Sequence, residues 1–372
     1  MIIAIEAQRI FRKNKHGMDF VALESIREIQ KMDTENIYYI IVQPGEDVCL
    51  ESTANVHVVR LRCPSYLLWE QVALPLFLRK IKPDLLHCTS STAPVFCKIP
   101  LVLTLHDIIF MEKRDTGNKS FYQNIGWHYR RFVLPRILPH CRKIITVSGF
   151  ESQNIQEAFN VIPEEVSVVY NASSSRFKPI EHYREVSQKY IDADEYLFFL
   201  GNTDPKKNTL RTLKAYSMYV EQSEKPLPLL IADLKESAVD RILKDGNIDK
   251  NIKSLLYLPG YIKNTDLPYI YNGAKIFLYP SLRESFGIPI LEAMACGTPI
   301  ITSNISAIPE IAGEDAILVS PYDEAAIAGE IIRLETDPDY YQQQVDYGIE
   351  RARHFSWNII ASNLIRIYQS IQ

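Results

Sequence analysis

The chain has 372 residues, longer than one hydrophobic core usually serves, which predicts about two domains. Hydrophobic residues make up 47% and charged residues 23%, with 15 Phe and 21 Tyr, and this excludes a mainly disordered chain. The formal net charge of -4 argues against a nucleic-acid partner, and it is unevenly spread: residues 1–178 carry 22 Lys+Arg against 18 Asp+Glu, the remainder 19 against 27.

The opening run Met1–Ile5 is too short for a signal h-region and leads straight into Glu6. No apolar run approaches the roughly 18–20 residues of a membrane span, so the expectation is a soluble, cytoplasmic protein. Strand candidates in the first half are Ile2–Ala7, Ile37–Val42, His57–Leu61, Leu85–Cys88, Leu101–Leu105, Ile144–Val147 and Val166–Tyr170. Helical patterns lie between them at Asp19–Met32, Tyr66–Ile81 and Lys119–Leu138. A polar, Ser-rich segment, Asn171–Pro179, follows. The second half offers strands at Tyr196–Leu200, Leu229–Ala232, Leu255–Leu258, Ile276–Tyr279, Pro299–Thr302 and Ala316–Val319. It closes with two helical patterns, Asp339–Arg353 and Trp357–Ile371, and no strand between them.

Most of these strands are apolar without alternation, as parallel strands covered on both faces should be. Strands alternating with helices predict an α/β fold of two Rossmann-like, doubly wound domains. We assign residues 1–175 to the first, 176–352 to the second, and 353–372 to a separate closing helix. The six cysteines (Cys49, Cys63, Cys88, Cys97, Cys141, Cys296) form no CxxC pair and no zinc spacing, and read as small buried hydrophobes.

Two loops carry the chemistry. In the block from Tyr279 to Pro299, a buried strand ends at Tyr279, a polar turn follows, and a helix begins near Ile288 or Pro289. A helix N-terminus at the carboxyl end of a parallel strand is where open α/β sheets bind ligands. Backbone N–H groups of Ser285, Phe286, Gly287 and Ile288 then form an anion site aided by the helix dipole. Glu284 before that helix and Glu292 inside it are pure hydrogen-bond acceptors suited to sugar hydroxyls. The second loop, Gly201 to Asn208, also follows a strand and sets Lys206 and Lys207 side by side as point charges for a diphosphate. No GxGxxG or GxxxxGK[ST] occurs. Asp192-Ala-Asp194 precedes a strand and Asp337-Pro-Asp339 opens a helix, so neither is read as a metal site; no metal or cofactor is expected.

Taken together these blocks resemble the retaining GT-B glycosyltransferases of family four, the group 1 transferases. Glu284-x7-Glu292 with Phe286-Gly287 is similar to that family's E-x7-E motif, and the likeness runs on through Gly297, Ser303-Asn304, Pro309-Glu310 and Gly313. Gly201…Lys207-Asn208 resembles its donor-phosphate loop, Leu105-His106-Asp107 its His-Asp turn, and Thr146-Val-Ser148 its strand-to-helix turn. Phe355-Ser-Trp357 resembles the start of its crossing helix, which returns to the first domain. The chain departs at Asn202, where many members carry Arg, and at Ala172, where many carry Gly.

The resemblance implies two domains facing across a cleft and assigns roles. Lys207, with Lys206 and the N–H groups near Gly287, would hold the donor diphosphate. Glu292 would take the ribose hydroxyls and Glu284 the hexose hydroxyls. His106 would approach the sugar from the first domain, Gly17 would let backbone near donor or acceptor, and the base would lie near Gly260–Ile262. The implied reaction transfers a hexose, mannose foremost, from a nucleoside-diphosphate sugar (GDP-mannose ahead of a UDP-hexose). The acceptor is a saccharide or lipid-linked saccharide in cell-surface polysaccharide or glycolipid assembly. Configuration is retained, without a metal and by same-face attack. The alternatives are a sugar-nucleotide epimerase or hydrolase of the same fold, and a non-catalytic sugar-nucleotide-binding subunit.

The stretch 114–143 holds seven basic residues and one acid, interleaved with Phe121, Tyr122, Trp127, Tyr129 and Phe132. Such a helix suits either an anionic membrane surface, giving peripheral attachment, or a core-facing aromatic stripe with a solvated basic side. His87, His128 and His140 show no ligand spacing and read as structural or exposed.

Overall fold

The computed structural model describes residues 1–112 and 121–371, with the side chains of 121–123 excepted. Contacts divide the chain into two units: Met1–Asn171 together with the segment from Ser356 onward, and Ala172–Phe355.

The first unit is built on seven parallel strands: β1 (Ile2–Glu6), β2 (Ile37–Val42), β3 (Val56–Arg60), β4 (Leu85–Cys88), β5 (Leu101–Thr104), β6 (Cys141–Thr146) and β7 (Val166–Val168). Their order is β3-β2-β1-β4-β5-β6-β7, with Ile3 level with Leu85 where the winding reverses. β4 and β5 are buried at every residue, which explains their unbroken apolar character. The closing helix Trp357–Gln369 packs against the helix Gly17–Met32 in this unit. Tyr368 reaches β4, its hydroxyl 2.7 Å from His87 Nδ1.

The pattern Tyr66–Ile81 is one element in sequence and three in space. A helical turn, Tyr66–Leu68, leads into a π-helical turn, Trp69–Ala73, and then into the helix Leu74–Ile81. Pro75, in the first turn of the last piece, has no N–H for the carbonyl four residues earlier, and the wider turn absorbs that defect. The predicted helix Lys119–Leu138 is found as Phe121–Ile137; Arg114, Lys119 and the side chains of Phe121 and Tyr122 lie outside the described residues.

The second unit has six parallel strands: β8 (Tyr196–Leu200), β9 (Leu229–Ala232), β10 (Leu256–Gly260), β11 (Ala274–Tyr279), β12 (Ile300–Ser303) and β13 (Ile317–Val319). The order is β10-β9-β8-β11-β12-β13, and the winding reverses between β8 and β11, where Phe198 is level with Phe277. Each strand feeds two cores. Leu197 and Phe199 face a cluster with Leu213, Ile231 and Ile327. Phe198 faces another with Tyr271, Phe277, Tyr279 and Ile290.

The division after Asn171 falls four residues ahead of the expected one. The cause is Phe177, which is buried in the second unit's core, its ring 5.8 Å from that of Tyr271. At the other end Phe355 stays with the second unit because it meets Phe286 edge-on at 6.0 Å. Asp337 caps the helix Pro338–Arg353, so Asp337-Pro-Asp339 is a helix start.

Candidate functional site

In the second unit the reversal of winding makes the exits of β8 and β11 neighbours, and loop backbone then locks them together. Leu282 N–H donates to Lys206 carbonyl oxygen at 2.7 Å. Asn208, in the left-handed conformation at φ 59, sends its amide to the carbonyls of Pro280 (2.9 Å) and Pro321 (2.7 Å). The two loops singled out in the sequence are therefore one structure.

Lys207 and Glu284 meet there. Lys207 Nζ lies 2.7 Å from Glu284 Oε1 and donates to the Tyr279 hydroxyl at 3.2 Å, with the Tyr279 ring centroid 5.0 Å away. Both side chains are partly sheltered, 28% and 15% exposed. Glu284 is fixed by its backbone as well, its N–H donating to Ser306 Oγ at 3.2 Å. Lys206 and Ser285 are half-buried beside this pair.

Gly287 is the N-cap of the helix Ile288–Ala295 and has φ +97, where a side chain is strained; a Cβ there would also stand 3.0 Å from Ile290 Cδ1. In this first turn Pro289 has no N–H and Ile290 N–H donates to the Gly287 carbonyl oxygen at 3.0 Å, while the positive end of the helix dipole faces the loop. Phe286 is buried and its ring meets that of Phe355 edge-on. Gly201 permits close packing of strands: a Cβ there would collide with β9, 2.6 Å from Ile231 Cγ2 and 3.1 Å from the Ala232 oxygen.

Glu292, one turn into the helix, accepts from the Tyr271 hydroxyl at 3.2 Å. Burial pushes its carboxyl up to about 7, opposed by that hydrogen bond and by the charge of Arg176. Ile262 is buried in the apolar cluster with Tyr271 and Phe198, so its side chain is core and only neighbouring backbone is open to a ligand. Asp194 pairs with Arg184 at the surface. Among the described residues no three His, Cys, Asp or Glu side chains gather as a metal site.

In the first unit His106 sits just past β5 and is buried, with Nε2 3.1 Å from the Thr89 carbonyl oxygen. Burial lowers its pKa and keeps the ring neutral. Its near neighbour Asp107 accepts from the Ile109 N–H at 3.1 Å. Gly17 is the first residue of its helix, with open space where a Cβ would point. His87, read from the sequence as structural, is buried between Tyr368 and Thr104, each at 2.7 Å, and desolvation pushes it down to about 3. His87 and His106 both line an internal space of about 40 Å³ between the sheet and the two helices.

A buried polar cluster at the ends of β1 and β4 had no signal in the sequence. Glu6 accepts from Gln8 N–H at 2.9 Å and Thr89 N–H at 3.3 Å, and burial raises its carboxyl to about 7. Glu70, on the π-helical turn, accepts from Thr92 (2.6 Å), Tyr66 (3.1 Å), Gln71 (3.0 Å) and the Tyr129 hydroxyl. Among the described aromatics of the basic stretch, Trp127 and Tyr129 pack against the first unit's core, whereas Phe132 is 56% exposed.

Sequence profiles cover most of the chain: that of the glycosyl transferases group 1 matches residues 182–351, and that of glycosyltransferase family 4 matches residues 17–173. O-antigen chain mannosyltransferase B of Escherichia coli is 30% identical over 274 residues, 72% of this chain and 70% of that one. The serotype-specific mannosyltransferase WbdA of the same organism is 28% identical over 69% of this chain, which spans only 32% of its length. Among solved structures, Anabaena Alr3699/HepE in complex with UDP and glucose matches with a TM-score of 0.71 at 16% identity, over 100% of both chains. That likeness shows a shared GT-B fold.

Proposed function

Because the chain belongs to the group 1 glycosyltransferases of the GT-B fold, we propose that it transfers mannose from GDP-mannose to a saccharide hydroxyl, with retention, in polysaccharide assembly. The observation that carries this reading is the junction of the β8 and β11 loops. It pairs the Lys207 ammonium with the Glu284 carboxylate in the loop that leads into a helix N-terminus, and Glu292 lies one turn inside that helix. The curated relatives named as mannosyltransferases support the sugar, and their O-antigen names support a polysaccharide acceptor.

The donor diphosphate lies at the N-terminus of the helix Ile288–Ala295 with Lys207 as counter-charge, Glu292 accepts from the ribose and Glu284 from the hexose. The bond from the anomeric carbon to the diphosphate oxygen breaks while positive charge builds on the sugar. Lys207 and the amides meet the charge on the leaving group, which takes the place of metal chemistry in this reading. The acceptor oxygen attacks from the same face, and its proton passes to the departing diphosphate. A nucleophilic carboxylate is not required, because Glu284 serves the hexose hydroxyls in this reading.

A panel of GDP, UDP, GDP-mannose and UDP-glucose titrated into the protein tests the donor, since a tight ligand raises the melting temperature by mass action. Stabilisation by UDP-glucose alone would overturn the mannose assignment, and EDTA-sensitive transfer would overturn the metal-free one. Peripheral membrane attachment is the accompanying reading. Ile125 and Phe132 are exposed on a helix bearing Arg130, Arg131 and Arg136, and Leu68, Val72 and Leu76 are exposed on the adjoining segment. Salt-sensitive sedimentation with phosphatidylglycerol vesicles is expected; equal binding to phosphatidylcholine would refute it.

A further inference from the structure

Behind the Lys207–Glu284 pair stands a side chain to which the donor reading gives no role. Tyr279, the last residue of β11, is 1% exposed. Its hydroxyl accepts from Lys207 Nζ at 3.2 Å, and the same Nζ holds Glu284 Oε1 at 2.7 Å. Its ring edge comes within 3.8 Å of where a Cβ on Gly287 would be. One tyrosine thus touches the cation that holds the carboxylate and stands at the helix entrance.

The ring is held rigidly. It stacks on Phe277 at 5.5 Å and 27°, and Phe277 meets Tyr271 edge-on at 5.1 Å. Tyr271 in turn carries the hydroxyl that donates to Glu292. Glu292 therefore has a buried tyrosyl hydroxyl as donor, Glu284 has one across the shared ammonium of Lys207, and Phe277 joins the two tyrosines.

Lys207 cannot serve Glu284 and a diphosphate equally. As the dianion arrives the ammonium turns toward it, and Glu284 loses its closest donor. Resting on the donor site proposed above, we propose that Tyr279 is a positioning residue whose hydroxyl keeps Glu284 aimed at the hexose once Lys207 is drawn to the diphosphate. Burial and the neighbouring carboxylate hold the phenol well above its ordinary range, so its proton stays in place to be donated.

The test compares Tyr279→Phe with the unaltered protein, titrating GDP, GDP-mannose, UDP and UDP-glucose. Phenylalanine keeps the stack on Phe277 and removes only the hydroxyl. Affinity for the bound sugar nucleotide should fall about tenfold, in line with loss of a hydrogen bond to a charged group, while the free nucleoside diphosphate stays within about threefold. In a Glu284→Gln background the same change should have no further effect on the sugar nucleotide, because the two act as a unit. Equal weakening of nucleoside diphosphate and sugar nucleotide, or a full tenfold loss on top of Glu284→Gln, would overturn the positioning role and leave the donor site standing. An unaltered protein that binds none of the four ligands would overturn both.

Discussion

Glu284→Gln should move binding and transfer in opposite directions. Without donor, Lys207 is engaged with Glu284 at 2.7 Å, so a diphosphate competes with a carboxylate for the same ammonium. The side chains are 28% and 15% exposed, which puts the pair at the upper end of partly solvated ion pairs, about 1 kcal/mol. Neutralising the carboxylate removes that competition and should tighten GDP or UDP about fivefold. The same change costs the hexose a charged acceptor, and transfer should fall about 10- to 100-fold. Calorimetric titration of the nucleoside diphosphate and a sugar-transfer assay measure the two effects separately. The double variant Lys207→Met/Glu284→Gln should lose the tightening. If Glu284→Gln instead weakens the nucleoside diphosphate in proportion to the lost transfer, Glu284 supports Lys207 rather than competing for it, and the reasoning fails.

Glu292 gives a pH dependence whose sign is fixed by its raised pKa. Only the carboxylate is a pure acceptor for ribose hydroxyls, so nucleotide affinity should rise as pH passes through about 7, and Glu292→Gln should flatten that profile. An unchanged profile in the variant would assign the titration elsewhere. Gly201→Ala pushes a methyl into β9 and should destabilise by about 1–3 kcal/mol, read as a lower melting temperature; a neutral result would mean the strand can shift to accommodate it. Tyr368→Phe strips His87 Nδ1 of its hydroxyl partner inside the first unit and should cost about 1–3 kcal/mol. GDP or UDP affinity should be untouched, and a coupled loss of nucleotide binding would refute a purely local effect.

The fold was legible because parallel strands covered on both faces leave short unbroken apolar runs between helical patterns. Ile37–Val42, Leu85–Cys88, Tyr196–Leu200 and Leu229–Ala232 stand where their apolar runs begin and end. Boundaries drifted where one side chain chose a core, as Phe177 and Phe355 did, because a single aromatic contact outweighs the polarity of the residues around it. Pro75 was visible, but the turn it forces was not, since the carbonyl it leaves without a donor is four residues earlier.

At the site, legibility followed the backbone. Gly287 has a conformation that strains any other residue, and so the glycine could be read as a turn before the helix. Gly201 also ends a strand, and there close approach to β9 demands glycine and leaves no other mark in the sequence. Tyr279, Tyr271 and His87 had none at all. Each ends or flanks an apolar run and reads there as ordinary core. The tyrosines are polar only at the hydroxyl and His87 only at its ring nitrogens, and those atoms matter because topology brings Lys207, Glu292 or Tyr368 to them from 72, 21 or 281 residues away. Sequence spacing reports chemistry that one loop or helix can assemble alone. Chemistry that needs the exits of two strands appears only once the order of the sheet is known, and here the neighbouring of β8 and β11 turns a lysine and a tyrosine into partners.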